Sequence, residues 1–119
     1  MSVQARVNHL FGGTSTATAI SFSGTVAAFR IPDTASWIRL TGTSTPVISA
    51  LDNPSYSRNK LIILENAAAT SITLTNNASA TTAGQMDLGS ADITLATDDI
   101  VALYCRPNGV WIRAWSTDN

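Results

Sequence analysis

Residues 60–77 read KLIILENAAATSITLTNN, residues 84–105 read GQMDLGSADITLATDDIVALYC, and residues 109–115 read GVWIRAW. Apolar residues recur at every second position through most of this stretch, in pieces separated by Asn, Gly, Asp and Ser. A period of two places alternate side chains on opposite faces of a pleated strand, and the separators supply turns. In ITLTNN, Ile72 and Leu74 face one way and Thr73 and Thr75 the other. KLIILEN differs. Its near-continuous apolar run predicts a central strand covered on both faces. Pro107-Asn108-Gly109, with Arg106 before it, predicts a hairpin loop slightly longer than the two-residue minimum. The closing strand VWIRAW sets Val110, Ile112 and Ala114 on one face, and Trp111, Arg113 and Trp115 on the other.

The same signals extend upstream. AISFS, TVAAFRI, SWIRLTG and PVISAL are short strand candidates, punctuated by Pro32-Asp33, TGTST and Asn53-Pro54. SWIRLTG sets Trp37, Arg39 and Thr41 against Ile38 and Leu40. No helical pattern of useful length occurs. The expectation is an all-β chain, an antiparallel β-sandwich or jelly roll of about eight to nine short strands. It occupies residues 18–119, after an N-terminal arm or short strand at residues 1–17. LIILENAAATSITLTNN and ADITLATDDIVALYCRPNGVWIRAW are both strand–turn–strand units, but their likeness falls short of a repeat.

Composition agrees with a β-domain. A chain of 119 residues suits one domain. Ser and Thr make up about a quarter of it, and only 13% of residues are charged. Ser and Thr compete with the helix backbone through their hydroxyls, whereas Thr sits well on a half-buried sheet. A neutral hydroxyl face stays soluble, and it packs against a partner without desolvating many charges. With a net charge of −1 and scattered arginines, there is no basic stripe for nucleic acid and no polybasic segment for a membrane. The start, MSVQARVNHLFGG, lacks the apolar core of a signal peptide. The single Cys105, inside DIVALYC, excludes an internal disulfide and reads as a buried thiol. Synthesis in a reducing cytoplasm is expected.

Residues that would announce chemistry are sparse. His9 is the only histidine, so neither a triad nor a multi-His metal site is recognisable. Asp87, Asp92, Asp98 and Asp99 fall at strand starts and turns, where Asp bonds the backbone. TDD lacks the oxygen density of a calcium loop, and FGGTST opens no phosphate-binding helix. No catalytic residue, metal or cofactor is expected, and the chain is read as a non-enzyme. The aromatics carry more weight. Trp111 and Trp115 on one strand face, Trp37, and the neighbouring Arg39 and Arg113 make a candidate interface, with His9 and Phe11 on the arm. The competing expectations are that the tryptophans fill the core, or that a pair of them stacks on a sugar ring.

The stretch from Leu61 to Trp115 resembles a module of bacteriophage virion proteins. It is similar to the β-sandwich heads of tail fibres and tail spikes, and to small capsid decoration or cement proteins. The shared pattern is an apolar strand ending in a polar pair (LIILEN), a Thr-alternating strand ending in Asn (ITLTNN), the segment MDLGSADITLATDDIVALYC, and a terminal Gly-x-Trp strand (GVWIRAW). The resemblance covers a little under half the chain and rests on spacing and residue type. It implies a homotrimer in a virion. About 20 residues precede the first clear strand, without heptads or a collagen-like repeat. That favours a decoration protein, bound to the major capsid protein on the shell, over a fibre tip that recognises host-surface glycan.

Overall fold

A computed structural model describes residues 18–22, 28–30, 36–42, 46–52 and 59–117. Within them the chain forms eleven strands and no helix: β1 (Thr18–Phe22), β2 (Ala28–Arg30), β3 (Trp37–Gly42), β4 (Val47–Ile48), β5 (Ala50–Asp52), β6 (Leu61–Asn66), β7 (Ile72–Leu74), β8 (Met86–Asp87), β9 (Ile93–Leu95), β10 (Ile100–Cys105) and β11 (Trp111–Thr117). Nine of them are three residues or longer. The expected arm at residues 1–17 lies outside the described residues.

The chain is all-β, as its alternation predicts, but the pairing is mixed and not antiparallel throughout. The six-stranded sheet runs β1-β3-β6-β10-β11-β8, a second sheet runs β4-β7-β9, and β2 pairs β5. β1, β3 and β6 are parallel, as are β2 with β5, β4 with β7, and β11 with β8. Among the described residues, only β6–β10, β10–β11 and β7–β9 are antiparallel strand pairs. A jelly roll is antiparallel throughout, so that part of the expectation does not describe the arrangement. What remains sandwich-like is that separate sheets face one another across a common core.

The parallel pairs have a common origin. Thr18 lies beside Ile38, and Trp37 beside Ile63. Ala28 lies beside Ala50, and Val47 beside Thr73. The chain therefore returns to each sheet after some 20 to 26 residues, having visited another sheet in between. Connections of that length permit parallel neighbours, which a tight hairpin does not. The result is a short stack of coils: β1 with β2, then β3 with β4 and β5, then β6 with β7. The last coil is closed by the chain turning back, with β10 antiparallel on β6 and β9 antiparallel on β7. Edges that would otherwise template another strand are thereby paired.

The core lies inside the stack. Ile38 and Leu40 of β3, Ile62 and Leu64 of β6, and Val101 and Leu103 of β10 point inward to Ile48, Leu51, Ile72, Leu74 and Leu95 of the other two sheets. Each fully buried aliphatic side chain contributes about 1.5–3 kcal/mol of transfer free energy. β6 also buries Ile63 on its opposite face, with Trp37, Ile100 and Ala102. LIILEN is thus covered on both faces, as its unbroken apolar run requires.

Two corners hold the sheets in position. Asn66 ends β6, and Asp98 and Asp99 turn the chain from β9 into β10. Asp99 is buried, and its Oδ2 accepts the Ala96 N–H at 2.9 Å. The second point is Gly84, with φ +95°. Its carbonyl accepts the Leu51 N–H at 2.9 Å, and its own N–H donates to the Gly109 carbonyl at 3.0 Å. A Cβ here would come within 3.1 Å of the Leu51 oxygen. Gly84→Ala combines that approach with a backbone conformation that L-residues avoid, and is expected to cost about 1–3 kcal/mol. Urea denaturation reads this directly, and an unshifted midpoint would contradict it.

Candidate interaction surface

The outer face of the six-stranded sheet carries Trp37, whose indole is almost closed off at 6% exposure. Its Nε1–H donates to Glu65 Oε1 at 2.9 Å. The same oxygen accepts from Arg39 Nε at 3.1 Å. β3 and β6 are in register here, with Arg39 directly beside Glu65, so the three groups meet without reaching. Glu65 is buried at 4%, while Arg39 is exposed. A buried carboxylate is tolerated when it is paired and hydrogen-bonded. Trp37 and Arg39 are thus tied to one anchor, Trp37 as a packed lid and Arg39 as the outward charge.

Trp115 belongs to this same face. It lies opposite Ala102 and packs against the cluster of Trp37, Ile63, Ile100 and Ala102. Trp111 does not. It is fully buried in the inner core, with its Nε1–H donating to the Leu51 carbonyl at 3.3 Å. Strict alternation puts Trp111 and Trp115 on one face. The ladder, however, slips between Ala102 and Leu103: Trp115 pairs Ala102, Arg113 pairs Leu103, and Ala114 is the extra residue. One inserted residue in a strand swaps the face of everything beyond it. The outward companion of Trp115 is therefore Trp37, and Trp111 leaves the candidate interface for the core. His9 and Phe11 lie outside the described residues.

Arg113 stays exposed and borders a groove of about 300 Å³, lined by Asp87, Leu88, Gly89, Arg106, Ile112 and Arg113. The backbone under this groove is held on several sides. Trp111 and Ile112 pair Met86 and Asp87 of β8. The outer edge of β8 is satisfied by the preceding loop, with Asn77 N–H donating to the Met86 carbonyl at 2.8 Å and Leu88 N–H to Asn76 Oδ1 at 2.8 Å. Arg106 begins the hairpin loop, where its N–H donates to the Val110 carbonyl and its carbonyl accepts from Gly109 N–H. Gly109, at φ +90°, ends the three-residue loop anticipated from Pro107-Asn108-Gly109.

Asp87 Oδ1 accepts the Gly89 N–H at 3.3 Å. Asp92 accepts the Asn76 N–H at 2.8 Å. Together with Asp99 they act on the backbone, as their turn positions suggest. Among the described residues no group of three or more His, Cys, Asp or Glu side chains is placed to hold a metal ion, and Cys105 is a buried thiol in no disulfide. Sequence reasoning missed Arg106 and the lining role of Asp87. The available signal was the pair of arginines bracketing the hairpin in CRPNGVWIR, seven residues apart. No protein-family model, curated protein or solved structure matches this chain.

Proposed function

We propose that this chain is a non-catalytic structural protein of a bacteriophage particle, a decoration protein that docks as a homotrimer on the outside of the shell and bridges major capsid subunits. One observation favours protein docking over the rival reading, a glycan-binding tip. Trp111 is at 0% exposure and Trp37 at 6%, so neither offers an open ring face for a sugar. Arg39, Arg106 and Arg113 are exposed, as are short neutral side chains such as Ala19, Ser21, Ala28 and Ser49. Arginine at a polar rim suits protein contacts.

Such a protein acts mechanically. Several weak contacts on one oligomer add by avidity, and binding only to the assembled shell stabilises it by mass action. Particles lacking the protein are expected to release their genome at lower temperature than complete ones, with the protein imaged as knobs across the shell. Equal heat resistance, or density confined to the tail, would reject the decoration role.

A further inference from the structure

We propose that the groove between Asp87 and the arginines Arg106 and Arg113 is a receptor for the carboxylate side chains of an acidic peptide segment. This rests on the protein-docking reading above and names the chemistry of the partner. Both arginines are exposed, and neither guanidinium has a hydrogen-bond or ion-pair partner among the described residues. The one carboxylate among the described lining residues, Asp87, is turned to the Gly89 N–H and pairs neither arginine. Ten guanidinium N–H donors are therefore left for an outside acceptor, and their planar fork matches a carboxylate two bonds at a time.

The groove also limits what fits. Among the described lining residues, two guanidiniums and one carboxylate leave a net charge of +1, which complements a single carboxylate better than a doubly charged phosphate. Its apolar wall is formed by Ile112 and the buried Leu88, with no aromatic ring among the described lining residues on which a sugar would stack. A volume of about 300 Å³ takes one or two side chains and lies at the small end of ligand sites. Gly89 keeps the wall low beside Arg113: a Cβ there would sit 3.5 Å from Nη2. Because Arg113 rides on the β10–β11 ladder and Arg106 on its hairpin loop, the two guanidiniums start from fixed backbone, which reduces the entropy lost on binding.

The experiment is an NMR titration of the full chain with a capped hexapeptide of alternating Asp and Leu, at low and at 0.5 M salt. Expected are shifts at the Arg106 and Arg113 side-chain N–H groups and at the amides of residues 87–89 and 112–113, with weaker binding at high salt. Arg106→Ala and Arg113→Ala should each weaken binding about tenfold, as loss of a charge-assisted pair predicts. Asp87→Asn should tighten it several-fold, and the Asn-for-Asp peptide should not bind. Both arginines are exposed, so the variants should keep the parent amide spectrum. Three results overturn the assignment: no shift with the acidic peptide, undiminished binding in the double arginine variant, or equal shifts with glucuronate or inorganic sulfate. A shell-bound protein that ignores the peptide would sink this assignment alone. A groove that binds the peptide on a protein absent from the shell would sink only the decoration role.

Discussion

Trp111→Ala is expected to lower the unfolding free energy by about 3–5 kcal/mol, the range for removing a large aromatic from a core that cannot collapse around the gap. Trp111 is fully buried on β11, beside Met86 of β8 and opposite Cys105 of β10. Its indole also reaches the Leu51 carbonyl of β5, sixty residues away in sequence. The ring therefore joins the closing hairpin to the middle coil of the stack. Truncation opens a cavity where β5, β8, β10 and β11 converge and removes a cross-sheet hydrogen bond. For a chain this size, the loss corresponds to a melting temperature lower by roughly 10–25 °C. Trp111→Phe retains most of the apolar bulk but not the N–H, and should cost about 1–2 kcal/mol. Urea denaturation should show a lower midpoint at unchanged slope. A Trp111→Ala protein with parental stability would mean that the ring is peripheral, and would restore Trp111 as a surface residue.

That residue also marks where the sequence stopped being legible. A period of two tells which side chains share a face: it grouped Ile38 with Leu40 and Ile72 with Leu74, and both pairs lie in the core. Period two has no direction, though. An inward–outward alternation reads the same in a parallel and an antiparallel neighbour, so the stacked coils were invisible in it. Their only trace is the return spacing of 20 to 26 residues, which varies from side to side and carries no repeated residues. LIILEN was legible for another reason. Covering a strand on both faces requires apolar residues at both parities, and no partner needs to be known.

The surface was less legible than the core. The bulge at Ala114 has no Gly to signal it, and its effect was to exchange Trp111 for Trp37 as the companion of Trp115. Arg39 and Arg113 were singled out because each follows a tryptophan. Both are exposed, but for separate reasons: Arg39 is held by buried Glu65, and Arg113 borders a groove built with Arg106. Arg106 lies only seven residues from Arg113, but Glu65 lies 26 residues from Arg39. Side-chain pairs made by register between distant strands leave no local pattern to read.

The polar residue that matters most to the fold is Asn66, where the largest effect of a single-atom change is expected. Asn66 is fully buried. Its Nδ2 donates to the Thr70 carbonyl and to the Leu95 carbonyl, each at 2.8 Å, and its Oδ1 accepts the Ala68 N–H at 2.9 Å. Its backbone N–H and carbonyl bond Asp99 and Asp98. One side chain thus fixes the corner from β6 to β7 and ties it to the end of β9. Asn66→Leu preserves bulk but takes this side chain's hydrogen bonds from the buried Leu95 carbonyl and Ala68 N–H, and from the part-buried Thr70 carbonyl. At about 1–3 kcal/mol for each of the two buried groups, the total is at least about 2 kcal/mol. Asn66→Asp is nearly isosteric and worse at neutral pH, because a carboxylate then faces two carbonyl oxygens in place of two N–H donors. Burial and those oxygens both favour the protonated acid, so its folded-state pKa lies above the unfolded value. The native state then holds the proton more tightly, and stability falls as pH rises from the ordinary carboxylate range up to the raised folded value. Acidification should therefore partly rescue Asn66→Asp relative to the parent, while the deficit of Asn66→Leu stays constant with pH. Paired denaturation curves at pH 4 and 7 test this. If the two variants showed the same pH dependence, the side chain at this corner would not be facing the Thr70 and Leu95 carbonyls.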